Sequence, residues 1–432
     1  MIGLFLTLFL SIFLLMVLFV NVEFFFILNL FFTAIFSALR LDPRESGIDV
    51  LGVSVYFNDI FFISQIIFLL FFVFRQLSIN KDFLHSNYLK VSTLILLIVV
   101  VKIFYSSIFY GTSAIVGGRH FLFFFSNILF FSIYKLPEER ILNIYKGIFY
   151  ISIIYISIGS LRYMGFLPGI YSNWLDIINF SDSFSDNRIF EKPDLEVLIV
   201  GAFFSLSQII SKFSKRISIW VPIFLFQSLF ILFSNTRSIV GIFLLILFFG
   251  FFKNYFINNK KIFFLLIILF PLFLIFMVSF LGEGYSIDNL FGEDSTFIFR
   301  AFVTLAFISY MNASAYFFGM NLGDAPVVFP EVYYTQYMGG MMGLHNAYVE
   351  IFYFMGLPFL LFILKLTFDL IKRLYYIVTE DSSILGNASF FSITACLILF
   401  LAWPITQFSG LLFGLAIASV KCFEEKERLL NH

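Results

Sequence analysis

Residues 2–20 read IGLFLTLFLSIFLLMVLFV, a run of 19 residues without a single charge. A helix that crosses hydrocarbon needs roughly 20 mostly apolar residues. Similar runs recur near 24–39, 58–74, 91–110, 119–134, 143–160, 194–211, 218–234, 238–252, 262–281, 346–371, 389–404 and 407–420. Over its 432 residues the chain is 61% hydrophobic and 12% charged, with mean hydropathy +0.99. Soluble domains carry about a quarter charged residues, and no soluble fold of this size hides so much apolar surface. The bilayer is therefore the solvent for most of the chain. The expectation is an all-α polytopic integral membrane protein, a single domain over 1–432 with about 12–13 transmembrane helices. No internal repeat of roughly 20–50 residues is visible.

Lys and Arg together number 27, as do Asp and Glu, so net charge points to no partner and no nucleic acid. Charge placement is more informative, because cytoplasmic loops of membrane proteins are rich in Lys and Arg. Basic loops lie at 75–90, 135–146, 212–216, 253–261, 372–373 and in the tail with Lys421, Lys426 and Arg428. They alternate with the remaining loops and fit a cytoplasmic C-terminus. Segments 40–57, 111–118, 161–193, 235–237 and 282–345 then face outward. Two full spans at the start put the N-terminus outside, and a re-entrant or interfacial helix there is the alternative. The last two runs flank Trp403-Pro404 and form either a hairpin or one broken helix. No signal peptide is expected, since Met1 runs straight into an apolar stretch.

The long outward segments 161–193 and 282–345 are candidates for function, because structureless loops of that length are uncommon. The second starts polar, then enters an apolar stretch, Phe297 to Tyr310, read as a helix capped at Asp294/Ser295. The acids Asp176, Asp182 and Asp186 of the first read as a solvated face. Cys396 and Cys422 lie in an apolar run and in the charged tail, so no structural disulfide is expected. The four histidines are far apart and make no metal-ligand spacing, so no metal and no cofactor are expected.

Arginines on the outward side break the charge bias: Arg119, Arg162, Arg237 and Arg300. Arg237 sits in the polar break Ser234-Asn235-Thr236-Arg237-Ser238. A guanidinium in or beside hydrocarbon costs a few kcal/mol, so such groups pair with acids or face water. Several of them converging would suit phosphate oxygens, which guanidinium binds in bidentate fashion. The simpler reading is that each snorkels or meets a local carboxylate. Asp59 is one such carboxylate, or else an acid that stabilises the start of its helix. In His345-Asn346-Ala347-Tyr348-Val349-Glu350, a histidine stands at the outer mouth of a span. It reads either as a base for a hydroxyl proton or as a capping side chain. Asn346 and Glu350, four apart, are expected on one helical face, with Pro358 kinking the span below.

Three segments resemble a known family: Asn235-Thr236-Arg237-Ser238-Ile239-Val240-Gly241; Phe299-Arg300 followed by Phe317-Phe318-Gly319-Met320-Asn321-Leu322-Gly323; and His345 to Glu350 running into Met355-Gly356-Leu357-Pro358. In this order, and on one membrane face, they resemble the O-antigen polymerase/O-antigen ligase superfamily of bacterial polysaccharide assembly. The resemblance implies a C-type membrane glycosyltransferase architecture with one large periplasmic loop, in the bacterial inner membrane, with its active site facing the periplasm. The implied donor is an oligosaccharide on undecaprenyl diphosphate. Arg237 and Arg300, with Arg119 by position, would bind the diphosphate. His345 would take the acceptor's proton, Glu350 would share in the catalytic site, and Asn346 and Asp59 would support it. No metal is implied. A polymerase uses a second lipid-linked repeat unit as acceptor, and a chain-length regulator is a further implied partner. A ligase uses lipid A–core. The His-Asn pair is familiar from ligases, whereas the Phe/Ile/Asn bias (Phe alone 69 residues) resembles polymerases, which is the reading preferred. A transporter or flippase is the non-enzymatic alternative, to be told by internal repeats and midplane charges.

Overall fold

A computed structural model describes residues 2–39, 48–50, 53–55, 57–79, 87–164, 192–211, 217–232, 237–251, 304, 307–324, 346–380, 383–400 and 403–430. The described chain is helical apart from a two-stranded ribbon. In chain order its helices are α1 (Ile2–Val20), α2 (Val22–Leu39), α3 (Phe57–Ile79), α4 (Asn87–Tyr110), α5 (Thr112–Ile133), α6 (Glu138–Tyr163), α7 (Lys192–Ile210), α8 (Ile217–Leu232), α9 (Arg237–Phe251), α10 (Ala313–Phe318), α11 (Ala347–Met355), α12 (Leu357–Glu380), α13 (Ile384–Leu399) and α14 (Gln407–Leu430). The ribbon, β1 (Ile48–Val50) and β2 (Val53–Val55), is antiparallel with Asp49 opposite Ser54. Among the described residues, four helices are long and apolar enough to cross a membrane: Phe57–Gln76, Lys90–Tyr110, Thr112–Ile133 and Glu138–Leu161. Shorter apolar helices include Val22–Thr33, Leu195–Ile210 and Ile384–Leu399. Such helices make this a membrane-spanning protein. The run expected at 262–281 lies outside the described residues.

Helix α5 is the centre of one half of the bundle. It packs against α3, α4 and α14, and 71% of its apolar window is buried, against 28% of α4's. Lipid is as apolar as a phenyl ring, so helices in a bilayer associate through packing and hydrogen bonds rather than hydrophobic expulsion. Phe26 of α2, Phe68 of α3 and Phe130 of α5 supply the packing, with ring centroids 5.3 Å (Phe26–Phe130) and 5.7 Å (Phe68–Phe130) apart. Hydrogen bonds tie helix to helix at buried polar side chains. Gln65 Nε2 donates to Asn127 Oδ1 (3.2 Å), and Asn127 Nδ2 donates to the Gln407 carbonyl (3.1 Å), joining α3, α5 and α14. Gln227 Nε2 donates to Ser152 Oγ (2.9 Å) and its Oε1 accepts from Ser205 Oγ (2.7 Å), joining α8, α6 and α7. Interhelical bonds of this kind contribute roughly 0.6 to 2 kcal/mol each.

The two ends of the bundle differ in charge. At the lower end, defined by the foot of α14, Lys135 pairs with Glu425, Arg373 with Glu424, and Arg140 with Glu23 (3.7 Å). The lysine of residue 421 donates to the Ser132 carbonyl there. The opposite, upper end carries the turn between α4 and α5, which is Gly111 alone, at φ +56.

Five readings of the sequence are corrected or refined. The runs around Trp403-Pro404 form a hairpin, with α13 packed on α14, and α14 extends to Leu430 because its charged last turns continue the helix beyond the apolar stretch. The break in the span after His345 falls at Gly356, not at Pro358. Gly356 has φ +83 and Pro358 is the second residue of α12, where a missing N–H costs nothing. Asn346 is not on a helical face with Glu350, because it precedes the helix in extended conformation as its cap. Finally, the helix expected over Phe297–Tyr310 is described only at 304 and 307–310, which are helical.

Gly356 and Gly319 mark a close crossing. A Cβ on Gly319 (φ +74) would strike the backbone of Phe354 and Met355, and one on Gly356 would strike the backbone of Phe317. The Met320 N–H donates to the Tyr353 carbonyl at 2.6 Å, and the Leu322 N–H to Ser106 Oγ at 2.9 Å. Lys102 Nζ adds hydrogen bonds to the carbonyls of Phe318 (2.9 Å) and Gly319 (3.1 Å). Segment 311–324 is thus fastened over the upper ends of α4, α5 and α11. A left-handed backbone costs an L-residue roughly 1–2 kcal/mol, and neither neighbouring backbone can yield. Gly319→Ala and Gly356→Ala are each expected to lose about 2 kcal/mol or more. Gly241→Ala, where a Cβ meets open space on α9, should be neutral or slightly stabilising. Thermal unfolding of the detergent-purified protein measures all three, and equal midpoints would disprove the crossing.

Candidate functional site

Ionisable side chains from several helices meet at the upper end. The first turn of α3 comes beside the third turn of α5, and Arg119 Nη1 lies 3.1 Å from Asp59 Oδ2, with both side chains mostly covered (14% and 15% exposed). One residue on, His120 Nε2 lies 2.8 Å from Oε1 of Glu350 on α11. Each contact is close but off the N–H direction, so neither is an aligned hydrogen bond. Glu350 is buried, whereas His120 is about one-third exposed, at 31%. The second Glu350 oxygen, Oε2, accepts from the Ile405 N–H at 3.2 Å.

The turn between α13 and α14 is held from two sides. Glu350 grips it at Ile405, and the buried Glu196 of α7 accepts from Thr406 Oγ1 at 2.9 Å. The Ala347 N–H donates to the carbonyls of Phe400 (2.8 Å) and Trp403 (3.0 Å). Asn346 Oδ1 accepts from the N–H groups of Tyr348 (3.0 Å) and Val349 (3.1 Å). The start of α11 is therefore fully engaged by its own cap and by the 400–403 carbonyls. An anion at this helix N-terminus would have to compete with Asn346 for those donors.

The residues singled out in the sequence divide as follows. Asp59 is an arginine partner, and its arginine is Arg119. Glu350 is buried and bonded, and Asn346 serves as a cap. Arg237 is the first residue of α9, of which only the backbone is described. Ring contacts between Phe203 and Phe243, and the packing of Gly250 on Leu206, run α9 alongside α7. That places the start of α9 at the end of α7 that carries Glu196. Arg162 lies in the last turn of α6, again with only its backbone described. Arg300 and His345 lie outside the described residues, as do Asp176, Asp182 and Asp186.

His120 is the member of the cluster that sequence reasoning passed over. Its signal was present: Arg119-His120 is a polar pair set at the start of an otherwise apolar run, after Gly117-Gly118. Gly118 lets Leu322 and Ile103 approach α5, since a Cβ there would strike both side chains.

A second polar group stands nearby. Tyr310 OH reaches Asp324 Oδ1 at 3.4 Å, and Tyr353 OH donates to the Asp324 carbonyl at 3.1 Å. The Asp324 charge holds the Tyr310 phenol above its ordinary range. The two cysteines are free thiols. Among the described residues no three His, Cys, Asp or Glu side chains gather as a metal site.

Removing one partner of a covered ion pair strands the other. Asp59→Ala should therefore destabilise the protein by about 2 kcal/mol, and Arg119→Ala added to it should recover part of the loss. A double-mutant cycle on unfolding midpoints tests this. Strict additivity would show that the pair has no coupling energy.

Compared with models of known protein families and with curated proteins, the chain matches none.

Proposed function

We propose that this chain is a surface-polysaccharide polymerase of the bacterial inner membrane, with the upper end of the bundle facing the periplasm and the C-terminus in the cytoplasm. The observation that carries the reading is the convergence of Arg119–Asp59 and His120–Glu350 at one end of an apolar helical bundle. Ionisable groups at membrane depth are costly and mark function by default. Their setting, an arginine beside a histidine–carboxylate pair, matches the needs of a transfer from a lipid diphosphate. The lower end carries Lys135, Arg140, Arg373 and Lys421, as a cytoplasmic face does.

In this reading the protein has the architecture of a C-type glycosyltransferase with about 12–13 spans and large periplasmic loops at 161–193 and 282–345. The donor is an oligosaccharide on undecaprenyl diphosphate. Arg237 and Arg300, with Arg119, hold the diphosphate oxygens. An acceptor hydroxyl of a second lipid-linked repeat gives its proton to a base, for which the sequence nominates His345. Its oxygen forms a bond to the anomeric carbon as the bond from that carbon to the diphosphate oxygen breaks. Undecaprenyl diphosphate departs with the bonding pair, and the arginines stabilise the charge it carries away. A chain-length regulator is the protein partner this activity would use.

Deletion of the gene, followed by gel analysis of surface polysaccharide, is the test. A polymerase null leaves single-repeat caps on the lipid core. Bare core with lipid-linked polymer accumulating would instead make the chain a ligase acting on lipid A–core, and an unchanged profile would end the transferase reading. Arg237→Ala should abolish the ladder while the protein still inserts at normal level, and the ladder of His345→Ala decides whether His345 is the base. A normal ladder from either variant removes that residue from the mechanism.

A further inference from the structure

We infer that His120, held at Nε2 by the buried carboxylate of Glu350, is the base that takes the acceptor's proton, with Glu350 as its positioning residue. The inference rests on the transferase reading and changes which histidine carries the proton.

Three observations lead to it. The first is the 2.8 Å approach of Glu350 Oε1 to His120 Nε2. A carboxylate beside one ring nitrogen favours the tautomer with its proton on Nε2, which leaves the lone pair on Nδ1. The second is the asymmetry of exposure. Glu350 is buried and its other oxygen is taken by the Ile405 N–H, so it has no route to a substrate. His120, one-third exposed, has one. The third is the neighbourhood. Arg119, adjacent in sequence, is set against Asp59 on the α3 side, which places a cation beside the histidine without placing it on the histidine's carboxylate. The bent geometry of the His120–Glu350 contact is of the kind that straightens when substrate is bound.

In the reaction the acceptor O–H proton passes to His120 Nδ1 as the oxygen bonds to the anomeric carbon. The imidazolium so formed is stabilised by the Glu350 carboxylate, and the leaving diphosphate takes the bonding electrons. The proton then returns to water through the exposed side of the ring. Glu350 remains ionised throughout, as an orienting carboxylate does.

The experiment uses membrane vesicles of the deletion strain that carry the cell's own lipid-linked glycan and the full-length chain. Elongation should fall about 10²- to 10⁴-fold in His120→Ala and His120→Gln. Glutamine preserves a donor for Glu350, so this variant reports on the base and not on folding. Added imidazoles should restore His120→Ala at rates that rise with the basicity of the imidazole. Glu350→Gln should lower kcat at least about tenfold, with KM unchanged, because the amide permits the wrong tautomer. Wild-type elongation by His120→Gln overturns the proposal. So does rescue that is independent of basicity, or no rescue at all, since either makes His120 a packing residue. If the wild-type chain itself fails to elongate glycan in these vesicles, the transferase reading falls, whatever His120 does.

Discussion

Hydrocarbon offers no partner to a polar atom, so every carboxylate that enters a helical bundle has to be met from within it. Glu350 shows how this constraint shapes the upper end. One of its oxygens accepts from the Ile405 backbone and the other faces His120. Through these two contacts a single side chain on α11 ties the turn between α13 and α14 to the third turn of α5. The α11 start is itself closed off by Asn346 and by the carbonyls of Phe400 and Trp403. A carboxylate placed here without His120 and Ile405 would cost several kcal/mol. The positions of these helix segments are therefore coupled to one carboxyl side chain.

The same turn is gripped by a second acid, Glu196, through Thr406. The turn presents two donors, the Ile405 N–H and the Thr406 hydroxyl, and the acids that accept from them come from other helices. This explains why α7 and α11, far apart in sequence, both carry a buried glutamate near their N-termini. An acid there is also favoured by the helix dipole, which offsets part of its desolvation. Fastening segment 311–324 over α4 and α5 follows a similar logic. Lys102, within an apolar helix, is satisfied by the carbonyls of Phe318 and Gly319, which a short helix leaves without intrahelical partners.

Most of the helices were legible in the sequence because a bilayer imposes long apolar runs, and a run such as 91–110 admits little else. The ends were less legible. Hydropathy stops where the membrane stops, but α14 continues to Leu430 on charged residues that suit a helix equally well. The sequence points to Pro358 as the break, because proline is the more familiar breaker; the positive φ of Gly356 that decides it is not written in the residue name. At the candidate site, Asp59 was seen as a possible arginine partner, since an acid at a helix start beside an unexplained arginine is a charge-pairing pattern. His120 was not singled out, because its significance lies in Glu350, which is 230 positions away in the chain, and no local spacing connects them. The ribbon at 48–55 gave no signal above that of a loop.

Adjacent positions on a helix point in different directions, so Arg119 and His120 cannot share one partner. The structure uses that geometry: the arginine turns to α3 and the histidine to α11. Had both met one carboxylate, the arginine would have kept the acid's charge for itself and left the imidazole without its orienting group. Two acids on two helices separate the tasks. Asp59 sets the guanidinium, the group suited to phosphate oxygens, and Glu350 sets the imidazole, the group suited to a hydroxyl proton. Because α5 stands between them and is enclosed by its neighbours, the spacing of these two side chains is fixed within one turn of one helix. The transfer proposed above needs that spacing held constant, since a leaving diphosphate and an attacking hydroxyl must meet at a single carbon.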